Sequence, residues 1–104
     1  MQYVSLGEDL PTVSRLSLGS WNTFSRLGVA DCAALLRRAV EHGINLVDVG
    51  YYWDKPETEQ RFAASIREAG LARETLIIAL KLWLWTYPAE SLADQTRASL
   101  ARVS

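Results

Sequence analysis

Histidine, cysteine and lysine are scarce in this chain, and each scarcity removes a class of chemistry. One cysteine, Cys32, and one histidine, His42, among 104 residues give no internal disulfide, no cluster to hold a metal, and no convincing Ser-His-Asp or Cys-His arrangement. Cys32 falls among alanines and leucines (Ala30 to Leu36) and reads as a small core hydrophobe. His42 falls in the last turn of a helix, where an imidazolium favours the dipole. Glycine-rich phosphate motifs are missing as well: "SLGSWN" has neither the dinucleotide nor the P-loop spacing. A net charge of -1 creates no field to gather nucleic acid or anionic lipid. No apolar run approaches the roughly 20 residues that span a bilayer, and "MQYVSLGEDLP" has no basic region followed by an apolar core. No membrane partner is expected, and the cytoplasm is the expected compartment.

What is present is ordinary globular material, 49% hydrophobic and 22% charged, enough for one domain over residues 1–104 with a modest core. "QYVSL" and "TVSRLSL" alternate about Gly7–Pro11, a hairpin leading into an apolar strand that ends at Gly19. "ADCAALLRRAVEHG" sets Leu35, Leu36, Ala39 and Val40 on one helical face, with Asp31 in the first turn and Gly43 past the end. "INLVDV" is a short buried strand. "TEQRFAASIREAG" is a second helix, capped by Thr58, striped by Phe62, Ala63, Ile66 and Ala69, and stopped by Gly70. "TLIIALKLWLW" reads as a third strand too apolar for a solvent face. "YPAESLADQTRASLARVS" reads as a helix with Pro88 near its first turn and Leu92, Thr96, Ser99, Leu100 and Val103 down one side. A hairpin followed by three strand–helix units implies an α/β fold with a parallel sheet.

Two charged residues stand out against this apolar frame. Asp48 and Lys81 each fall near the carboxyl end of a strand, the end where α/β proteins hold ligands. Lys81 interrupts "LIIAL" and "LWLW", and an unpaired ammonium there would cost about several kcal/mol. Asp48 is the obvious partner, reachable across strands about 4.8 Å apart if both side chains share a face. The pair reads either as a reactive couple or as an ion pair that satisfies only itself. Tyr51 and Tyr52 follow Asp48; a phenol beside an ammonium becomes a proton donor, and the alternative is packing on the next helix. Trp21, Trp53, Trp83 and Trp85 fall at or just beyond strand ends, where they either line an apolar pocket or pack in the core.

These motifs, taken in order, resemble the amino-terminal part of the aldo-keto reductases. "YVSLGEDLPTVSRLSLGSW" is similar to their opening hairpin and first strand, "AALLRRAVEHGINLVDV" to the first helix and second strand. "TEQRFAASIREAG" is similar to the second helix, and "LIIALKLW" to the third strand with its lysine. The resemblance covers essentially the whole chain. It implies part of a (β/α)8 barrel, a carbonyl substrate, NADPH as cofactor and a catalytic tetrad of Asp, Tyr, Lys and His. Asp48 and Lys81 match two of these. Trp53 stands where the family's tyrosine falls, with Tyr52 one residue short of it. The tetrad histidine belongs to a fourth strand, beyond "ASLARVS". Trp21 matches a tryptophan of the family's substrate pocket.

The expectation that follows is a truncated barrel that has dropped redox chemistry. Asp48, Lys81 and Tyr52 or Tyr51 would then promote an isomerisation, dehydration or cyclisation of a carbonyl-bearing small molecule held by the tryptophans. Most of the NADPH site belongs to the family's carboxyl-terminal half, so no cofactor is expected. Two alternatives stand beside this: a non-catalytic binding or scaffold protein, and a fragment of an NADPH-dependent reductase. Three parallel strands leave two edges unpaired, so completion by a homodimer or higher homo-oligomer is also expected.

Overall fold

The computed structural model describes residues 1–50 and 56–104. The chain opens with β1 (Tyr3–Ser5) and β2 (Thr12–Ser14), an antiparallel pair with Val4 opposite Val13. "TVSRLSL" is therefore two strands rather than one. Arg15 and Leu16 form a bend, and β3 (Ser17–Gly19) leaves the hairpin to join a different sheet. Asn45 anchors the hairpin below that sheet. Its side-chain oxygen accepts from the Ser14 N–H at 2.7 Å, and its amide nitrogen donates to the Thr12 carbonyl at 3.1 Å.

The second sheet has the order β3-β4-β5, all parallel, with β4 at Leu46–Gly50 and β5 at Ile77–Lys81. The helices α1 (Val29–Glu41), α2 (Glu57–Ala69) and α3 (Leu92–Val103) follow the three strands in turn. Helix α1 packs on α2, and α2 on α3. Parallel strands need such long crossovers, because a hairpin turn cannot return the chain to the same end. Gly43 (φ +82) and Gly70 (φ +67) end the first two helices in left-handed geometry, which a side chain resists. His42 is the residue after the end of α1 rather than part of its last turn, and its N–H donates to the Arg38 carbonyl.

The pleat decides what the sheet shows on each face. Val47 and Val49 are fully buried against Leu36, Phe62 and Ile66, and Leu18, Ile78 and Leu80 pack against the same cluster. Alternation then turns Ser17, Gly19, Leu46, Asp48, Ile77, Ala79 and Lys81 to the opposite face. Phe24 and Phe62 meet edge to face, with ring centroids 5.5 Å apart. Cys32 is buried within this core, its thiol pushed up mainly by burial, as expected of a packing residue.

Four local expectations need correction. Thr58 does not cap α2: Pro56 occupies the cap position, and Thr58 lies buried inside the helix. β5 ends at Lys81, and Leu84–Thr86 turn as a short 3-10 helix, so "LWLW" is not strand. Ala79 and Lys81 are exposed, because helices cover only one face of the three strands. Pro88 precedes α3, which starts at Leu92 behind a Ser91 cap whose hydroxyl accepts from the Asp94 N–H.

One side of α3 was also expected to carry Leu92, Thr96, Ser99, Leu100 and Val103. Of these Ser99 and Val103 do face inward, joined by Gln95, whereas Leu92 and Leu100 are exposed, Leu100 at 49%. A buried acid on the neighbouring helix explains the difference. Glu59, at 0% exposure, accepts from the Ser99 hydroxyl at 2.7 Å and from Arg102 Nε at 2.5 Å. A carboxylate removed from water requires partners of this kind, so the polar stripe of α3 has to turn inward.

Candidate active site

The carboxyl ends of β3, β4 and β5 are held together by main-chain and serine contacts. Ser20, fully buried, donates its N–H to the Asp48 carbonyl at 2.9 Å, and its hydroxyl accepts from the Gly50 N–H at 3.2 Å. These bonds fix the exit of β3 against β4, at the strand that carries Asp48. The parallel register places Lys81 opposite Gly50 and Asp48 opposite Ala79. Lys81 is thus two residues beyond the level of Asp48, and the period of two sends both side chains to the face away from the helices. Lys81 Nζ donates to Asp48 Oδ2.

The pair is not buried as the apolar flanks suggest. The side chains are 54% exposed for Lys81 and 35% for Asp48. In high dielectric such a contact contributes about 0–1 kcal/mol to stability. Its value is positional: the carboxylate holds the ammonium on the open face at the strand ends.

Beyond Lys81 the chain turns, and a side chain from α3 fixes that turn. Gln95, 4% exposed, accepts from the Trp83 N–H at 2.8 Å and donates to the Trp83 carbonyl at 2.7 Å. The same amide nitrogen lies 3.1 Å from Thr86 Oγ1. Trp83 and Trp85 pack with ring centroids 4.8 Å apart and an interplanar angle of 30°. Trp85 is 82% exposed, and Trp21, which follows β3, is exposed at the same end of the sheet. The exposure of Trp21 and Trp85 rules out core packing for both.

Of the residues singled out from sequence, the fold brings Asp48 and Lys81 into contact and places Trp21, Trp83 and Trp85 at the strand ends. Tyr51, Tyr52 and Trp53 lie outside the described residues. His42 lies at the end of α1, ahead of β4, where the strands begin rather than end. Sequence reasoning missed Ser20, Glu59 and Gln95. A glutamate in the apolar stripe of α2, beside Phe62 and Ala63, was the available signal for the second. No group of three or more potential metal-ligating side chains converges among the described residues. No helix among them is long and apolar enough to cross a membrane.

With this geometry in place, comparison with known proteins identifies the frame. Residues 15–104 match the model of the Aldo/keto reductase family. A "probable voltage-gated potassium channel subunit beta" of Arabidopsis thaliana is 31% identical over 112 residues, covering 99% of this chain and 34% of that protein. A relative of the same description from Oryza sativa subsp. japonica is 32% identical over 84 residues, covering 80% of this chain and 26% of that one. The chain therefore spans only about a quarter to a third of the length of these curated relatives. Among solved structures, one provisionally assigned as a 2,5-diketo-D-gluconic acid reductase B superposes with a TM-score of 0.63 at 20% identity. It covers 88% of this chain and 30% of that one, a likeness of fold. The strand–helix units are thus part of a barrel architecture, here left open.

One functional expectation is overturned by these matches. The sequence suggested a protein that had abandoned redox chemistry for isomerisation, dehydration or cyclisation. The family match runs through both Asp48 and Lys81, and no feature of the matched region points to a non-redox reaction. The missing histidine was weighed as a loss of function, whereas it belongs to a strand outside this chain, which spans only part of its relatives' length. The reading as part of a reductase fits better.

Proposed function

Since the chain belongs to the aldo/keto reductase family, we propose that it supplies the carbonyl-facing wall of an NADPH-dependent reductase site. The contact between Lys81 and Asp48 on the open face at the strand ends carries this reading. NADPH supplies a hydride to a carbonyl carbon when bound. The residues here suit the other partner of that reaction: Lys81 donates a hydrogen bond to the carbonyl oxygen, where negative charge develops, and Asp48 holds the ammonium at the mouth. Trp21, Trp83 and Trp85 form apolar walls for a small, partly apolar aldehyde or ketone. The described residues of the mouth do not suit a pyrophosphate, because they present indoles and an already paired ammonium rather than a nest of N–H donors. The dinucleotide's phosphates are held by other groups. Tyr52, or Tyr51, is proposed as the proton donor.

The test is carbonyl-dependent loss of NADPH absorbance by the natively purified protein, with a panel of aldehydes and ketones. Turnover that falls at least about 100-fold in Lys81→Met, with near-ultraviolet circular dichroism unchanged, supports the reading. Absence of turnover across the panel, or full turnover in Lys81→Met, overturns it.

A second reading comes from the relatives described as channel subunits. In it the chain binds a protein partner and the mouth is a remnant. Unchanged biological activity of the Lys81→Met protein would favour this reading over the first.

A further inference from the structure

The turn after β5 is held by an unusual substitute for sheet pairing. A residue in an antiparallel ladder exchanges two hydrogen bonds with its opposite number, one through N–H and one through C=O. Trp83 makes both of those bonds with the side-chain amide of Gln95, at 2.8 and 2.7 Å. The carboxamide has the donor and acceptor of a peptide group, so one side chain from α3 stands in for a neighbouring strand. It is 4% exposed and adds a third contact, to Thr86 Oγ1 at 3.1 Å. Thr86 Oγ1, with one proton to donate, lies 3.3 Å from both Glu90 Oε2 and the Trp83 carbonyl. The backbone two residues past Lys81 is thereby fixed from the helix layer, and the Trp83–Trp85 ring pair is mounted on that segment.

We infer that Gln95 is a positioning residue: it sets the orientation of the Trp83–Trp85 pair at the mouth, and through it the apolar surface offered to the substrate. This deepens the reductase reading and rests on it for the word substrate, but the geometric part stands alone and is tested alone. A pair of indoles this close couples excitonically, so it gives a couplet in far-ultraviolet circular dichroism that reports their mutual angle.

The experiment compares that couplet in the wild-type chain with Trp85→Phe, Gln95→Leu and Gln95→Glu. Trp85→Phe should abolish the couplet and so assign it to the pair. Gln95→Leu, of similar size and with neither donor nor acceptor, should lose more than half the amplitude while keeping its helical signal and a cooperative unfolding transition. Gln95→Glu keeps the acceptor for the Trp83 N–H but loses the donor, and should fall between the two. Should Gln95→Leu fail to fold, Gln95→Glu carries the same comparison. A wild-type chain without a couplet, or folded Gln95 variants with the full wild-type couplet, overturns the inference. If the protein reduces carbonyls, Gln95→Glu should raise KM for bulky apolar substrates about tenfold and change kcat less than threefold, as expected for a wall rather than a reacting group. An equal loss of kcat for all substrates would overturn the positioning role. Absence of turnover leaves the couplet as the deciding result and instead counts against the reductase reading.

Discussion

The two seams that join the helices of this fold are built from different materials. Between the sheet and the α1–α2 pair the contact is dry: Phe24, Cys32, Leu36, Val47, Val49 and Phe62 are all at 0% exposure. Between α2 and α3, Val103 joins the apolar cluster, but beside it Glu59 bonds Ser99 and Arg102, and Gln95 clamps the chain after β5. The same chain thus secures its first units by excluded water and its last by hydrogen-bond geometry added to one apolar anchor, Val103. Apolar packing tolerates small shifts, whereas a paired carboxylate or a clamped backbone does not. The polar seam adjoins the segment that carries Trp83 and Trp85, where position matters most for a ligand.

Substitutions in each seam would sharpen this contrast. Phe62→Ala should be the most damaging, at about 3–5 kcal/mol, because it removes a fully buried ring and leaves a cavity; the shift in urea midpoint at constant slope measures it. Glu59→Ala should cost about 3 kcal/mol, since Arg102 loses its buried partner while keeping some access to water. Joint replacement of Glu59 and Arg102 by Leu and Met should recover most of that loss. If Glu59→Ala alone were harmless, the polar seam would be ornament and the contrast would fail.

Smaller effects fall at the start of α3. Ser91→Ala removes a cap that accepts from the Asp94 N–H, and should cost about 1 kcal/mol. The Ser91 hydroxyl, and after it the Arg97 charge, hold the Asp94 carboxyl below its ordinary value. A carboxyl lowered on folding adds stability above the ordinary aspartate range, and that contribution is lost as pH falls through the folded value. Ser91→Ala should therefore raise the Asp94 pKa in an NMR titration, and an unmoved pKa would remove the hydroxyl as the main cause. Leu100→Lys, on the outer face of α3, should change stability by no more than about 0.5 kcal/mol. A large loss would show that this face is covered in the native assembly.

How much of this was legible in the sequence follows the same division. The dry seam could be read directly: the spacing of Leu36, Ala39, Phe62 and Ile66 marks helical stripes, and Gly43 and Gly70 mark their ends. Asp48 and Lys81 could be paired from strand spacing and pleat alone. The polar seam could be read only in part: periodicity places Ser99 and Val103 on the inner side of α3, but Leu92 and Leu100 with them and Gln95 not at all. Only tertiary contact shows that Glu59 is the partner of Ser99 and draws Arg102 toward α2. Nor could the sequence show that β5 stops at Lys81. The apolar run continues through "LWLW", and the chain turns there because Gln95 satisfies the backbone of Trp83. The depth of the Asp48–Lys81 pair was misjudged for a related reason: apolar neighbours imply burial only where something covers both faces of the sheet.

Lys81→Met gives the most direct test of the account, because the exposed ion pair contributes at most about 1 kcal/mol to stability. The variant should therefore remain folded, and activity reports function alone. The measurement is carbonyl-dependent NADPH oxidation by the wild-type and Lys81→Met proteins at matched folded concentration. The account predicts turnover in the first and its near-complete loss in the second; equal rates, or none in the wild type, would contradict it.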